Sequence, residues 1–209
     1  MSRYRLPAPL EELPFVIKPN AETPPFDWET VFGRAAPVEL EIGSGKGLFL
    51  TSAGGQFPDR SFIGVERAGK YFRRAVVRIH NAGVPNVRII RTDAFDLLER
   101  WIPPGSVAVA HVYFPDPWPK KRHAKRRLLQ GELFRGIHRA LSPDGVFCLG
   151  SDVRSYFEES VREILDSGQF AQIDWPDDSP DRIATSYAIK YEKEGRRLSY
   201  AKFRRLDAE

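Results

Sequence analysis

Short apolar runs alternate with stretches at helical spacing along most of the chain. Five runs are predicted to be strands, at residues 38–42, 61–66, 86–90, 106–114 and 146–150. Apolar residues at helical spacing follow four of them, over about residues 48–56, 71–79, 129–141 and 156–165. Continuously apolar strands separated by helices are typical of a parallel sheet that is covered on both faces. The pattern therefore predicts an α/β fold.

The two ends of the chain are less regular. Residues 1–36 are rich in proline, which disfavours regular elements. Aromatic residues there indicate that parts of this segment dock on the main body: Phe15, Phe26, Trp28 and Phe32. We therefore divide the chain into a proline-rich arm, residues 1–36, and one domain, residues 37–209. Near the C-terminus, residues 170–175 and 183–191 could each form a strand.

Composition excludes several classes of protein. The chain has 209 residues, enough for one large domain or one domain with a short extension. Its one cysteine, Cys148, excludes an internal disulfide and argues against a zinc site, so no metal is expected. No apolar run reaches the roughly 18 residues of a membrane helix, and the N-terminus lacks the apolar core of a signal peptide. We expect a cytoplasmic protein without a membrane partner.

Acidic residues fall at or just beyond the ends of four predicted strands: Glu41, Glu66, Asp93 and Asp116. Ligands of open α/β sheets bind at the carboxyl ends of the strands. A single acid there is most often an ordinary surface charge. Four of them at successive strand ends, the first followed by a glycine cluster, favour a ligand site instead.

The glycine cluster, Gly43, Gly45 and Gly47, decides which ligand fits. A dinucleotide cofactor needs a third glycine where this chain has Leu48, and a nucleoside triphosphate needs Ser or Thr where Gly47 follows Lys46. S-adenosylmethionine (SAM) fits better. Carboxylates suit its ribose diol, its adenine amino group and its positively charged methionine end, for which we predict Glu66, Asp93 and Glu41, respectively.

The fourth predicted strand runs into a rigid loop, FPDPWPKKRH at residues 114–123. Three prolines hold Asp116 and Trp118 in place, which suits either a preorganised site that sandwiches a flat base or merely a stiff turn. Six of the eight residues at 120–127 are Lys or Arg. Such a run is usually a solvated face, but beside a ligand site it favours phosphate binding. A second basic group lies at residues 190–205.

At these residues the chain resembles a known family, the tRNA (guanine-N7-)-methyltransferases of the bacterial TrmB type. The matching segments are LEIGSGKG (40–47), FIGVE (62–66), FPDPWPKKRH (114–123), GSD (150–152) and KYEKEG (190–195). The first two are shared by SAM-dependent methyltransferases in general, and the third is far more specific. The resemblance covers about residues 37–205.

The resemblance implies a Rossmann-like SAM-dependent methyltransferase with a seven-stranded, mostly parallel sheet, helices on both faces and an antiparallel last strand. It implies that SAM is bound by Glu41, Gly43, Gly45, Glu66, Asp93 and Asp116. Substrate-binding positions map onto Lys120, Asp152, Ile189, Lys190, Tyr191 and Glu192. RNA-contacting positions map onto Arg122, His123, Lys125, Arg126 and Arg127. The implied reaction is methylation of N7 of guanine in the variable loop of tRNA.

One position departs from the family pattern. The family usually has Thr-x-Tyr/Phe-Glu where this chain has Ile189, Lys190, Tyr191 and Glu192. A threonine occurs four residues earlier, so the hydroxyl contact is either absent or supplied by Thr185 or Ser186.

The chemistry needs no general base, because N7 of guanine carries an exposed lone pair. Alignment of the reacting atoms and fixed carboxylates near the developing cation are expected to supply most of the rate. Asp116 is the candidate catalytic residue, and Asp152 is a candidate acceptor for the donor edge of guanine. Three rivals remain: a small-molecule methyltransferase, a non-catalytic RNA-binding protein on the same fold, and a dehydrogenase, which the glycine spacing disfavours. The sequence allows a monomer or a homodimer.

Overall fold

The computed structural model of the chain describes residues 8–118, 122, 127–180 and 182–207. Its strands are β1 (Val16–Ile17), β2 (Val38–Ile42), β3 (Ser61–Val65), β4 (Val87–Ile90), β5 (Val107–Tyr113), β6 (Leu141–Ser151), β7 (Phe170–Ile173) and β8 (Ser199–Arg205). Its α-helices are α1 (Trp28–Phe32), α2 (Leu48–Gln56), α3 (Gly69–Ala82), α4 (Ala94–Arg100), α5 (Gly131–Ala140), α6 (Arg154–Asp166) and α7 (Ser186–Lys193).

The eight strands form one sheet in the order β1-β4-β3-β2-β5-β6-β8-β7. All pairs from β1 to β6 are parallel, and β8 runs antiparallel to both β6 and β7. The α/β class and the antiparallel last strand are therefore confirmed. The sheet has one strand more than the seven expected. The additional strand is β1 in the proline-rich segment, where Val16 pairs with Ile89 and Ile17 pairs with Ile90.

Two layers of helices cover the sheet. On one face α4, α5 and α6 pack side by side, and residues such as Leu133, Phe134 and Ile137 are buried there with Phe26 and Phe32. On the other face α2, α3 and α7 bury Phe49, Phe72 and Ala188, among others. Each fully buried Leu or Phe contributes about 1.5–3 kcal/mol, so both faces stabilise the sheet. No helix within the described ranges is both long and apolar enough to cross a membrane.

The C-terminal region differs most from the sequence prediction. Residues 183–191 are not a strand, because Thr185 caps a helix there: its Oγ1 accepts a hydrogen bond from the backbone N–H of Ala188 at 3.0 Å. The residue pattern did not locate the antiparallel strand β8, although its inward residues Ala201 and Phe203 alternate with Lys202 and Arg204. Helix α4 was also missed in the sequence.

Residues 142–145 form a break in register within β6. Val107 pairs with Leu141, but Val109 pairs with Val146, so the residues between leave the ladder. Asp144 adopts a left-handed conformation with φ 59°. The break lets α5 run directly into the strand without a separate loop.

Candidate active site

A cavity of about 740 Å³ lies at the carboxyl ends of the central parallel strands. Seven predicted site residues line it: Gly43, Gly45, Glu66, Asp93, Asp116, Arg127 and Tyr191. A smaller cavity adjoins it and is lined by Glu41, Lys46, Thr185 and Ser186, among others. Gly43, Gly45, Tyr113 and Tyr187 line both cavities. The fold therefore brings the acids from separate strands to one place, as the strand-end pattern predicted.

The glycine loop between β2 and α2 is pinned against β3. The backbone N–H groups of Gly43 and Ser44 both donate to the carbonyl of Val65, at 2.9 and 3.0 Å. Gly47 has φ 73°, and a Cβ atom placed on it would lie 2.9 Å from the Cβ of Ala75. Only glycine combines that conformation with such close packing on α3.

Glu66 is held at both carboxylate oxygens by backbone donors. The N–H of Gly45 donates to Oε2 at 2.8 Å, and the N–H of Ala68 donates to Oε1 at 2.7 Å. Burial raises the pKa of Glu66, while these two hydrogen bonds act in the opposite direction. Each oxygen keeps a second lone pair. The carboxylate is therefore preoriented to accept further hydrogen bonds, such as those of a ribose diol.

Glu41 differs because its Oε2 has no hydrogen-bond partner among the described residues. Its side chain is buried, which raises the pKa of Glu41 to about 8; the charge of Glu66 adds to this rise and a hydrogen bond from Ser44 opposes it. An unpaired buried carboxylate is costly. A cation in the smaller cavity would give this oxygen a partner, and the ammonium of a methionine moiety has that charge.

Asp93 caps α4 and also lines the cavity. Its Oδ1 accepts from the backbone N–H of Phe95 at 3.0 Å, and its Oδ2 lies 3.3 Å from a guanidinium nitrogen of Arg67. The capping bond fixes the direction of the side chain at the end of β4. Asp93 therefore fits the role of acceptor for an adenine amino group.

The loop after β5 has an unusual backbone. Phe114 and Trp118 adopt φ 52° and φ 40°, a region that bulky residues rarely occupy. The loop is held by the N–H of Phe114, which donates to the carbonyl of Gly150 at 2.8 Å, and by Nε of Arg127, which donates to the carbonyl of Pro117 at 3.1 Å. Strain of this kind persists only where surrounding contacts impose it and is frequent at functional sites. It places the exposed carboxylate of Asp116 at the cavity.

Helix α7 contributes two rings to the cavity, one of which sequence reasoning did not assign. Tyr187 and Tyr191, one turn apart, line the large cavity. The hydroxyl of Tyr187 is hydrogen-bonded with that of Tyr71 on α3, and burial and this bond raise the pKa of Tyr187. Tyr191 was predicted as a substrate-binding residue, whereas Tyr187 and Tyr71 were not. The i, i+4 spacing of the two rings would have indicated one face of α7 once residues 186–193 were recognised as a helix.

Of the other predicted substrate residues, Asp152, Ile189, Lys190 and Glu192 line neither cavity, and Lys120 lies outside the described residues. Ile189 is exposed, Lys190 lies 3.6 Å from Glu194 in an ion pair, and Glu192 is exposed. Asp152 has a nearly buried side chain whose Oδ2 is 2.6 Å from Arg196. Thr185 and Ser186, the alternatives to a hydroxyl at Ile189, lie beside Glu41 instead.

Three of the five predicted RNA-contacting residues lie outside the described residues, namely His123, Lys125 and Arg126. Arg122 is exposed. Arg127 is half-buried: besides its bond to Pro117 it pairs with Glu159 at 2.9 Å and lines the large cavity. Arg127 therefore connects the basic stretch to the loop that carries Asp116.

A buried polar network lies beneath the site. Nε2 of His111 is 2.8 Å from Oε2 of Glu39, and Nδ1 is 3.0 Å from the hydroxyl of Tyr113. Arg60 bonds to the other oxygen of Glu39 at 2.8 Å. Burial acts to raise the pKa of Glu39, but the hydrogen bonds and charges of His111 and Arg60 hold that pKa below its ordinary value. His111 is thus a satisfied core histidine, and the described residues include no cluster of side chains that could hold a metal ion.

Comparison with known proteins identifies the family of the chain. A family model described as "Putative methyltransferase" matches residues 35–204. The tRNA (guanine-N(7)-)-methyltransferase of Sodalis glossinidius is 36% identical over 84% of this chain and 74% of the relative. The enzyme of the same name from Geobacter metallireducens is 32% identical over 92% of this chain and 93% of the relative.

Solved structures support the fold. The 16S rRNA (adenine(1408)-N(1))-methyltransferase of Catenulisporales acidiphilia, crystallised in mutant form with its cosubstrate SAM, superposes with a TM-score of 0.60 over 86% of this chain and 90% of that chain. At 14% identity this likeness concerns the fold alone. The sequence relatives carry the assignment further, and the chain belongs to the tRNA (guanine-N(7)-)-methyltransferase family.

Proposed function

We propose that this protein transfers a methyl group from SAM to N7 of guanine 46 in the variable loop of tRNA, acting in the cytoplasm as a monomer or homodimer. The observation that carries the proposal is one cavity with two different walls. Glu66, fixed by two backbone donors, lies on the wall formed with the glycine loop, and Asp116 lies on the wall formed by the strained loop after β5. The names of the sequence relatives support the choice of reaction.

The cofactor side consists of Glu66, Asp93, Glu41 and the glycine loop. Glu66 accepts the two ribose hydroxyls, Asp93 accepts from the adenine amino group, and Glu41 pairs with the methionine ammonium. The unpaired Oε2 of Glu41 supports this last role, since a buried carboxylate without a donor is stabilised by a cation. Gly43 and Gly45 leave room for the ligand to approach the backbone.

When bound, SAM would supply an electrophilic methyl group for an in-line displacement: the bond from methyl carbon to sulfur breaks as the bond to N7 forms, and the sulfur leaves as the neutral thioether of S-adenosylhomocysteine. The protein removes no proton from N7. Asp116 acts on the acceptor side, where its carboxylate stabilises the positive charge that develops on the purine. The strained loop holds this carboxylate in place before the reaction, so little reorganisation is needed.

The acceptor base is proposed to bind between aromatic side chains. Trp118, Tyr187 and Tyr191 line the cavity near Asp116, and stacking on such rings contributes about 1–3 kcal/mol per base. Asp152 is proposed to accept the donor edge of guanine through Oδ1, because Arg196 occupies Oδ2. Ile189, Lys190 and Glu192 contribute contacts around the entering loop, while Lys120 and the basic stretch from Arg122 to Arg127 contact RNA phosphates.

The test is transfer of radiolabelled methyl from SAM to bulk unmodified tRNA, followed by nucleoside analysis. We expect label in 7-methylguanosine, and sequencing of the methylated site to identify guanine 46. Label in another nucleoside, or in a small molecule only, would refute the assigned reaction.

Two controls separate the rivals. Activity of a small-molecule methyltransferase is expected to depend little on salt, whereas tRNA binding weakens steeply with salt. A non-catalytic RNA-binding protein would bind tRNA without binding SAM, which calorimetry with SAM alone would reveal.

A further inference from the structure

Helix α3 carries four cations and no acidic residue. We call Lys70, Arg73, Arg74 and Arg78 the α3 basic face. Lys70, Arg73 and Arg74 are exposed, and Arg78 is half-buried. Residues 70, 74 and 78 are spaced at i, i+4 and i+8, so they lie on one side of the helix and span about 12 Å along its axis. Arg73 lies beside them.

Among the residues that the structure describes, none neutralises the α3 basic face by an ion pair. Other helices differ: on α6, Arg154 pairs with Glu158 at 2.7 Å, and on α7, Lys190 pairs with Glu194 at 3.6 Å. On α3 the residue four positions after Lys70 or Arg74 is another cation, and like charges at this spacing destabilise a helix. An external anion would explain the arrangement.

The position of α3 indicates where that anion lies. The start of the helix borders the large cavity through Tyr71, and Arg67, just before the helix, also lines it with a largely exposed side chain. The guanidinium of Arg91 lies against Gly69 at the start of α3. The Tyr71–Tyr187 hydrogen bond ties α3 to α7, across the cavity. The basic face therefore starts at the cavity and leads away from it.

We propose that the α3 basic face binds the phosphate backbone of the tRNA whose guanine occupies the cavity. This inference rests on the proposed function, and it adds a surface on α3 to the basic stretch at residues 120–127. A nucleic-acid strand presents a phosphate every few ångströms, so about 12 Å of helix can contact two or three of them. These contacts carry no sequence information; they position the tRNA and set its affinity.

The test removes three exposed charges together. In the α3 variant, Lys70→Gln, Arg73→Gln and Arg74→Gln are combined. In the control variant, Arg100→Gln, Arg135→Gln and Arg162→Gln remove the same charge from exposed positions on α4, α5 and α6, which cover the opposite face of the sheet. Binding of an unmodified tRNA transcript is measured at several salt concentrations, and SAM binding is measured by calorimetry.

The α3 variant is expected to bind tRNA about 10- to 100-fold more weakly at moderate salt. The slope of log affinity against log salt should fall by about 2–3, since each lost phosphate contact removes nearly one. SAM affinity and the melting temperature should stay near those of the wild type. The control variant should change the slope by less than about one. A third variant, Arg73→Lys with Arg74→Lys, keeps the charges and should keep the slope.

Three outcomes overturn the inference, and they are distinguishable. If the wild type methylates tRNA but the α3 variant keeps the wild-type slope, the α3 inference alone is wrong, and the face serves another anionic partner. Equal losses in the α3 and control variants would mean that only net charge matters. If the wild type neither binds nor methylates tRNA, the proposed function fails, and this inference fails with it.

Discussion

The two walls of the large cavity are held by different kinds of contact. The glycine wall, formed by Gly43, Gly45, Glu66 and Asp93, is fixed by backbone N–H groups of segments that neighbour one another in the sheet. The proline wall, formed by Phe114, Asp116 and Trp118, is fixed by side chains and backbone of three separate segments. The contacts come from Gly150 on the neighbouring strand β6, from Arg127 ten residues beyond Pro117, and from the ring of Tyr191 on α7.

This difference has a consequence for mutation. Substitutions on the glycine wall act locally, because each carboxylate is oriented by backbone within two residues or on the next strand. The proline wall has a strained backbone that other elements impose on it. We therefore expect its chemistry to be sensitive to changes in residues that touch no ligand.

The largest effect is expected at the proline wall itself. Asp116→Ala should lower kcat by about 10²–10³-fold, because it removes a preorganised charge from the developing cation. The residue is exposed, so the melting temperature should change little. Asp178→Ala, at another exposed loop carboxylate, is the matched control and should leave both quantities unchanged. A folded Asp116→Ala protein with wild-type turnover would refute the assigned role.

The next effect concerns Glu41, behind the glycine wall. Its pKa of about 8 in the folded state exceeds the ordinary 4.5, so the folded protein holds a proton that the unfolded chain releases. Stability from this group is therefore lost as pH rises from about 4.5 to 8. Between pH 6 and pH 8 the wild type should lose about 2 kcal/mol relative to Glu41→Gln.

Urea unfolding of the wild type and Glu41→Gln across this pH range gives the measurement. If the free energies of unfolding of the two proteins changed in parallel with pH, Glu41 would be ionised in the folded protein throughout this range. The argument that its buried carboxyl lacks a stabilising partner would then be wrong. Saturating SAM should flatten the wild-type profile if the ammonium pairs with Glu41.

A smaller effect is expected in the glycine loop. Gly47→Ala combines left-handed strain with a 2.9 Å contact to Ala75, whereas Gly33→Ala has similar strain at φ 72° and nothing within 4 Å. The clash should make Gly47→Ala less stable than Gly33→Ala by about 1–2 kcal/mol. Thermal melts compare the two, with about 2–4 °C expected per kcal/mol. Equal melting temperatures would mean that α3 moves to accommodate the methyl group.

The smallest effect is expected at Arg127, which connects the proline wall to the basic stretch. Arg127→Lys keeps the charge but loses the planar Nε donor to the carbonyl of Pro117. We expect kcat to fall about two- to fivefold, as for one lost hydrogen bond, with the salt dependence of tRNA binding unchanged. Arg122→Lys is the charge-conserving control in the same stretch. A change in salt slope would instead indicate that Arg127 contacts phosphate directly.

The comparison also shows what the sequence could predict. The glycine wall was predicted almost completely, because its acids follow strand ends that the apolar pattern identifies, and parallel strands bring those ends together. For the proline wall the sequence indicated Asp116 and Trp118, but not what holds them. Arg127 contacts Pro117, and Phe114 contacts Tyr191. These are tertiary contacts, which the local pattern of apolar and polar residues does not predict.

The missed elements have the same physical origin. Residues 183–191 alternate well enough to suggest a strand, and only the capping bond of Thr185 and the burial of Ala188 favour the helix. Strand β8 carries three cations, Lys202, Arg204 and Arg205, so its apolar side is short and easily overlooked. The pairing of Asp152 with Arg196 depends on both elements being in place.

The order of the last two strands sets the moment at which the enzyme can be completed during synthesis. β8 lies between β6 and β7, although it follows β7 in the chain. While the ribosome is still making β8, β7 has no neighbour to pair with, and the open edge of β6 is exposed. The ion pair of Asp152 with Arg196 also cannot form until Arg196, which precedes β8 in the chain, has been synthesised. The glycine wall can therefore form on the nascent chain, whereas that half of the sheet closes only after residues 199–205 have emerged.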